Sequence, residues 1–176
     1  MAAATQPVPA LLSLEEYLRT SYHPDCDFVD GYLDERNMGE FEHCTIQIAV
    51  GAWFFNHRAE WQIRVVSEYR TRVSEFRVRI PDISVFFQAD SAEKVRTTPL
   101  LIAIKIMSPD DRMNRVIRRL EDFLGMGVRN VWLLDPIERV AYTLTVEGLR
   151  LVDGARINVP DSPMYLDLPE IFSALD

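Results

Sequence analysis

Two charged residues lie in stretches of sequence that otherwise predict buried strands, and they are the first candidates for chemistry. Asp82 falls within the run Arg77–Phe87, which alternates charged and apolar residues before it becomes wholly apolar. Lys105 lies in a second apolar run, Leu100–Met107. A strand that is apolar on both faces belongs at the centre of a covered sheet, where an uncompensated carboxylate or ammonium costs several kcal/mol. We therefore expect the two side chains to lie within ion-pair reach on adjacent strands.

The elements predicted around this pair form a mixed sheet with a helix on each face. Residues 39–57 carry apolar side chains at spacings of three and four, and residues 108–127 predict a second, amphipathic helix with its N-terminus near Ser108. Residues 130–134 are a third buried strand, and residues 61–73 are predicted as one further strand. Hairpins are expected at residues 26–35, with a turn at Asp30–Gly31, and at residues 139–152. The predicted class is α/β, a mixed central sheet flanked by helices with β-hairpins at its edges.

Length and composition limit the other possibilities. The chain has 176 residues, which fits one domain over residues 13–176 preceded by a disordered or extended segment over residues 1–12. It lacks both a long apolar run and the basic, then hydrophobic, start of a signal peptide, so we expect a cytoplasmic protein with no membrane partner. Two cysteines are too few for a disulfide framework. Residues 88–99 are predicted as an exposed loop.

The charge of the chain does not decide whether the protein binds nucleic acid. The net charge of −8 argues against a protein that coats nucleic acid non-specifically, because such binding depends on Lys and Arg neutralising phosphates. The basic residues are nevertheless clustered, so either one basic face on an acidic protein or a set of solvated arginines is compatible with the sequence. The cluster on the second predicted helix comprises Arg112, Arg115, Arg118 and Arg119.

Several short motifs, taken together and in this order, resemble a known family. They are Leu14–Leu18, Asp27–Leu33, Glu42–His43, Ile80–Val85, Ile106–Arg112 and Met126–Pro136. This combination resembles the restriction endonuclease family of the Uma-two type, which belongs to the PD-(D/E)XK nuclease superfamily. The resemblance implies a restriction-endonuclease-like sheet core in which Asp82 and an acid on the next strand hold Mg²⁺ or Mn²⁺ for the hydrolysis of DNA. Oxygen ligands of this kind suit Mg²⁺.

The sequence departs from the family pattern at the second acid. The family places that acid three residues before a Ser-Pro pair, where this chain has Lys105. In the alternative register, the superfamily's acid-x-Lys motif makes Lys105 the catalytic lysine, but Ala103 then replaces the acid. The basic residue that this family carries on its later helix would be Arg119 or Arg118.

Other residues are candidates for supporting roles in the same cleft. Glu42 is a candidate metal ligand and His43 an auxiliary residue, unless they are a first-turn acid and a surface histidine of the long helix. Asp27 and Asp111 are further auxiliary carboxylates, and Asp111 could instead cap the second helix. Arg112, Arg115 and Arg118 are candidate nucleic-acid contacts.

These observations predict a divalent-metal-dependent DNA endonuclease with a degraded site, weak or inactive as written. The alternative is a catalytically inactive nuclease fold that binds DNA or a protein partner. A homodimer is possible, since enzymes that cut both strands commonly act as twofold assemblies.

Overall fold

Within residues 11–37 and 39–176, which the computed structural model describes, the chain forms four helices and twelve strands. The helices are α1 Leu14–Arg19, α2 Phe41–Trp61, α3 Met113–Met126 and α4 Leu168–Ser173. The strands of the N-terminal half are β1 Cys26–Val29, β2 Tyr32–Glu35, β3 Ile63–Ser67, β4 Thr71–Ser74, β5 Arg77–Arg79 and β6 Ile83–Phe87. Those of the C-terminal half are β7 Ile102–Ile106, β8 Asn130–Asp135, β9 Val140–Thr145, β10 Gly148–Leu151, β11 Arg156–Asn158 and β12 Tyr165–Asp167.

The central sheet has six strands in the order β10-β9-β8-β7-β6-β3. Strands β7 and β8 pair in parallel and the other neighbours are antiparallel, so the sheet is mixed. Apolar side chains from α2 and α4 form the core on one face, and those from α3 form the core on the other. The predicted fold class is therefore confirmed, with the strands of Lys105 and residues 130–135 at the centre.

A second sheet has the strand order β2-β1-β5-β4. Because of this sheet, Asp82 does not lie where the sequence predicted. The run Arg77–Phe87 is not one strand, because it leaves this sheet after β5 and enters the central sheet at β6. Pro81 lies at the break, where its missing N–H could not have joined a strand ladder. Asp82 follows it directly, so the carboxylate lies at the junction of two sheets and not in the middle of a strand.

Two other sequence predictions are corrected, and the predicted exposed loop over residues 88–99 is confirmed with one buried anchor. Residues 61–73 form two strands in different sheets, separated by a turn in which Glu68 has a φ of 52°. Helix α3 begins at Met113, because the residues from Ser108 form a turn of their own before it. The loop over residues 88–99 is anchored by Arg96, which is 1% exposed and donates to Asp90 and to backbone carbonyls.

The N-terminal region is described from Leu11 onwards. The backbone N–H of Leu12 donates to the carbonyl of Gly31 in the predicted β1–β2 turn, whose residues have positive φ as that turn requires. Residues 1–10, and with them most of the predicted extended segment, lie outside the described residues. None of the helices in the described ranges combines the length and the apolar character that a bilayer crossing requires. Strands β11 and β12 form a small hairpin that the sequence did not predict.

Candidate functional site

The carboxylate of Asp82 is fully buried and is bound by two cationic side chains. Lys105 Nζ lies 3.0 Å from Asp82 Oδ2, and Arg36 Nη2 donates to Oδ1 at 2.8 Å. The backbone N–H of Ile106 donates to Oδ2 at 2.6 Å. The predicted ion pair between Asp82 and Lys105 is confirmed, and Arg36 is an addition to it.

Strand register explains why the first pair forms. Strands β6 and β7 are antiparallel with Ile83 opposite Ile104. The residue before Ile83 therefore faces the residue after Ile104, which places Asp82 beside Lys105. This juxtaposition satisfies both charges in a part of the core where neither is tolerated alone.

Burial and the neighbouring cations have opposite effects on the pKa of Asp82, and the effect of the cations is the larger. Burial by itself raises the pKa of this carboxyl, but Lys105, the hydrogen bond from His43 and the charge of Arg36 hold it well below its usual range. Burial likewise lowers the pKa of Arg36, while Asp82 and Glu68 raise it well above its ordinary value. The cluster is therefore an ionised carboxylate enclosed by fixed positive charge.

A hydrogen-bonded ring that the sequence did not single out holds Arg36 in place. Its guanidinium is paired with Glu68 and lies 3.6 Å from a carboxylate oxygen of Asp25. Gln47 Nε2 on α2 donates to Glu68 Oε1 at 2.8 Å and lies 3.2 Å from the carbonyl oxygen of Asp82. No sequence spacing marks Arg36, because it comes from the end of the β1–β2 hairpin and Glu68 from the turn after β3.

The auxiliary candidates fall in different places. His43 is buried and its Nε2 lies 3.5 Å from Asp82 Oδ2, so it belongs to the cluster and is not a surface histidine. Glu42 does not join it, since no hydrogen bond or ion pair connects Glu42 to Asp82 in the described part of the chain. Asp111 lies at the margin, with Oδ2 accepting from the backbone N–H of Ser108 at 2.9 Å and lying 3.8 Å from Lys105 Nζ.

Asp27 is buried in a separate ion-pair cluster beside the first. Its carboxylate accepts from Arg79 Nη1 at 3.0 Å and from the backbone N–H of Ile80 at 3.1 Å. Arg79 also binds Asp122 on α3 at 2.7 Å. Burial raises the pKa of Asp27, with the charge of Arg79 opposing that rise. Asp27 thus holds the β1–β5 layer to α3 through Arg79, and in the described part of the chain no hydrogen bond or ion pair joins it to Asp82.

The predicted catalytic arginine is bound elsewhere. Arg119 donates to both carboxylate oxygens of Asp34, at 2.9 and 3.2 Å, and Arg115 donates to the same carboxylate at 2.9 Å. Burial raises the pKa of Asp34, but its hydrogen bonds from Arg119 and Arg79 bring it below the ordinary value. Arg119 therefore stabilises the contact between α3 and the β1–β2 hairpin, and it also borders the small cavity beside Lys105 and Arg36.

Only part of the basic helix face remains available to a ligand. Arg112 and Arg118 are exposed, and within residues 11–37 and 39–176 neither takes part in an ion pair. Arg115 is 61% exposed at its side chain in spite of its contact with Asp34. The predicted basic face is thus half neutralised by the protein itself.

The residues around Asp82 do not fit a divalent cation. Both carboxylate oxygens already accept from donors of the protein, and Lys105 and Arg36 place positive charge where a cation would have to sit. Across the described ranges, no three or more His, Cys, Asp or Glu side chains converge as metal ligands. The cavity that borders Lys105 and Arg36 has a volume of about 20 Å³. That space holds roughly one water molecule and no phosphodiester.

Comparison with known proteins places the chain in a family and a fold. The family model Uma2, described as "Putative restriction endonuclease", matches residues 14–175. A crystal structure of a "putative nuclease belonging to DUF820" from Anabaena variabilis has a TM-score of 0.82 at 22% sequence identity, covering 96% of this chain and 100% of that one, so the two share a fold. The cryo-EM structure of a DrdV–DNA complex has a TM-score of 0.42 at 12% identity, covering 73% of this chain and 10% of that one. No curated protein matches the chain.

Proposed function

Because the chain belongs to the Uma2 restriction endonuclease family, we propose that it is a nuclease-fold protein that binds DNA and hydrolyses phosphodiesters weakly or not at all. Family and fold support a nuclease-type role. In this proposal, cationic side chains of the protein take the place of the metal ion beside Asp82. Binding of DNA is the function that remains.

A single observation carries this proposal: the protein itself saturates the carboxylate of Asp82. At 3.0 Å from Lys105 Nζ, with an effective dielectric constant of about 20, a unit charge pair attracts by roughly 5 kcal/mol. Arg36 at 2.8 Å adds a second attraction of similar size. A divalent ion would have to displace these contacts and then bind beside two positive charges, so hydrolysis that depends on such an ion is disfavoured.

The exposed arginines of α3 support binding to DNA. Arg112 and Arg118 are free of ion pairs in the described structure, and Arg115 is partly so. Arginine suits phosphate recognition because its planar guanidinium donates in pairs and remains charged. Contacts of this kind release counterions, so the affinity should fall as salt concentration rises.

Plasmid cleavage tests the hydrolytic part. The unchanged protein and Asp82→Ala are incubated with supercoiled plasmid in Mg²⁺ and, separately, in Mn²⁺. We expect the two proteins to nick DNA at the same background rate. If the unchanged protein cuts well above Asp82→Ala, the site is a working nuclease centre and the proposal is wrong.

Fluorescence anisotropy with a labelled DNA duplex tests the binding part. We expect Arg112→Glu/Arg118→Glu to weaken binding and to reduce the slope of log affinity against log salt by about 2, close to one unit per lost phosphate contact. Arg139→Glu/Arg150→Glu is the charge-matched control, since it changes the net charge equally at exposed arginines away from α3, which pair there with Asp176 and Glu147. Equal losses in the two variants would show that net charge and not α3 governs binding. No measurable affinity in the unchanged protein would favour a protein partner over DNA.

A further inference from the structure

The outer face of α2 carries large apolar residues that stay mostly exposed in the described chain, where the Arg58 guanidinium lies 3.8 Å from the ring centre of Phe55. Phe41, Ile48 and Phe55 are 72%, 74% and 52% exposed. They recur every seven residues, which places them in one line along the helix. The other exposed positions between them are small or neutral, Cys44 and Ala52 among them. The result is an apolar stripe along about four turns of helix, which we call the α2 stripe.

The absence of charge on this helix is unusual for a solvated surface. Residues 44–57 contain no Asp, Glu, Lys or Arg, although α2 is the longest helix and one of its faces is exposed. Surface helices ordinarily carry charged and polar residues opposite the stripe that faces the core. A helix that is apolar on both faces is expected to be covered on both.

The α2 stripe borders a groove that ends at an open sheet edge. The groove has a volume of about 640 Å³ and runs between α2 and β3, with Ile48, Ala52 and Phe55 on one wall and Val65 and Val66 on the other. Strand β3 pairs only with β6 among the described strands and is the last strand of the central sheet. The groove therefore combines apolar side chains with unpaired backbone donors and acceptors.

We propose that a second copy of this chain covers the α2 stripe, with the two α2 helices packed antiparallel about a twofold axis at Ile48. Ile48 lies midway between Phe41 and Phe55 in the sequence, so this symmetry places each Phe41 beside the partner copy's Phe55. The small side chains at Cys44 and Ala52 would lie opposite each other and allow close approach. A stripe that is symmetric about its middle residue is complementary to itself, as an isologous interface requires.

Charge at the helix ends agrees with this arrangement. Glu40 and Glu42 lie at the N-terminal end of α2, and Arg58 lies in its last turn next to Glu60. An antiparallel pair brings Glu40 and Glu42 of each helix towards Arg58 of the other and also opposes the two helix dipoles. A parallel pair would instead place like charges together.

The exposed apolar area of the α2 stripe is large enough to form the centre of an interface between two copies. A fully buried aromatic side chain removes roughly 150–250 Å² from water, so the exposed fractions of Phe41 and Phe55 offer on the order of 250 Å² per copy. A standard interface buries about 800 Å² per partner. The stripe thus provides about a third of that area, and Ile48, Val66 and the groove walls contribute further apolar surface. This surface is distinct from the DNA-binding face proposed on α3, and its test does not depend on that proposal.

Sedimentation and light scattering on the full chain test the surface. The unchanged protein should have twice its chain mass of 20.3 kDa at concentrations of about 100 μM. Ile48→Glu should shift it to the mass of one chain, with an unchanged circular dichroism spectrum. Val146→Glu is the matched control, because Val146 is 95% exposed in the β9–β10 turn and receives the same charge. A monomeric unchanged protein, or an Ile48→Glu variant that stays dimeric, would overturn the proposal.

Cysteine cross-linking tests the antiparallel register. In the proposed arrangement residue 44 of one copy faces residue 52 of the other, so Ala52→Cys combined with the native Cys44 should give a covalent dimer on mild oxidation. Ala59→Cys, also exposed on α2, has no cysteine opposite it and should remain uncross-linked. Cross-linking of Ala59→Cys but not of Ala52→Cys would refute this register even in a dimeric protein.

Discussion

Replacement of Lys105 by methionine should destabilise the protein much more than the same change at the other lysine, Lys94. Methionine keeps most of the length and apolar volume of the side chain and removes only the ammonium. The carboxylate of Asp82 then remains fully buried with one fewer cation. Removing one partner of a buried ion pair costs about 3–5 kcal/mol, because the other charge is left uncompensated. Since Arg36 still lies 2.8 Å from Asp82, we expect a loss near the lower end, about 3 kcal/mol.

The effect should depend on pH in a defined direction. The cations hold the folded-state pKa of Asp82 well below the usual carboxyl value of 3.8. A depressed carboxyl pKa contributes stability that is present above the unfolded pKa and is lost as pH falls towards the folded pKa. Without the ammonium of Lys105 that depression shrinks. The difference in the free energy of unfolding between the unchanged protein and Lys105→Met should therefore have its full value at pH 7 and should become smaller below about pH 4.

Urea denaturation at pH 7 and at pH 3 measures this difference. Lys94→Met is the matched control, because Lys94 is the chain's only other lysine and is exposed. We expect the control to stay within about 0.5 kcal/mol of the unchanged protein. For Lys105→Met, a loss of about 3 kcal/mol corresponds to a fall in Tm of roughly 6–12 °C. A variant as stable as the unchanged protein at pH 7, or a loss that is just as large at pH 3, would refute this account of the cluster.

Three further changes have expected outcomes. Lys105→Glu alone should bind Mn²⁺ weakly in calorimetric titration, because Arg36 still donates to Oδ1 of Asp82. Adding Arg36→Ala to this variant should strengthen Mn²⁺ binding at least tenfold. Equal affinities of the two variants would show that Arg36 does not oppose metal binding. Arg79→Met should lower the free energy of unfolding by about 3–5 kcal/mol, because it leaves Asp27 buried without its cation, and a loss below 1 kcal/mol in urea titrations would contradict that. Gly127→Ala should cost about 1 kcal/mol by the same assay, since Gly127 ends α3 at a φ of +102°, and no loss would mean that this end of the helix rearranges.

Much of the fold follows from local pattern. The positions predicted for the core of α2, including Ile46 and Phe54, are buried, because spacings of three and four place them on one face of a helix. The Asp30–Gly31 turn forms because two consecutive positive φ angles suit those residue types. The predicted strand runs through Pro81, although the apolar positions change phase there, from Val78 and Ile80 to Ile83 and Val85. The assignment of β5 and β6 to separate sheets shows the break.

The sequence by itself predicted that Asp82 and Lys105 compensate each other, because each is a charge in a stretch that is otherwise apolar and the two stretches were expected to be adjacent. It did not determine which other charges would meet them. Arg36 is 46 residues from Asp82 along the chain, and Arg119 is 85 residues from the aspartate that binds it, Asp34. Such partners depend on how the hairpin, the sheets and α3 pack together, and several arginines and carboxylates could have satisfied the same requirement. Only the tertiary structure decided that Arg36 pairs with Asp82 and that Arg119 pairs with Asp34.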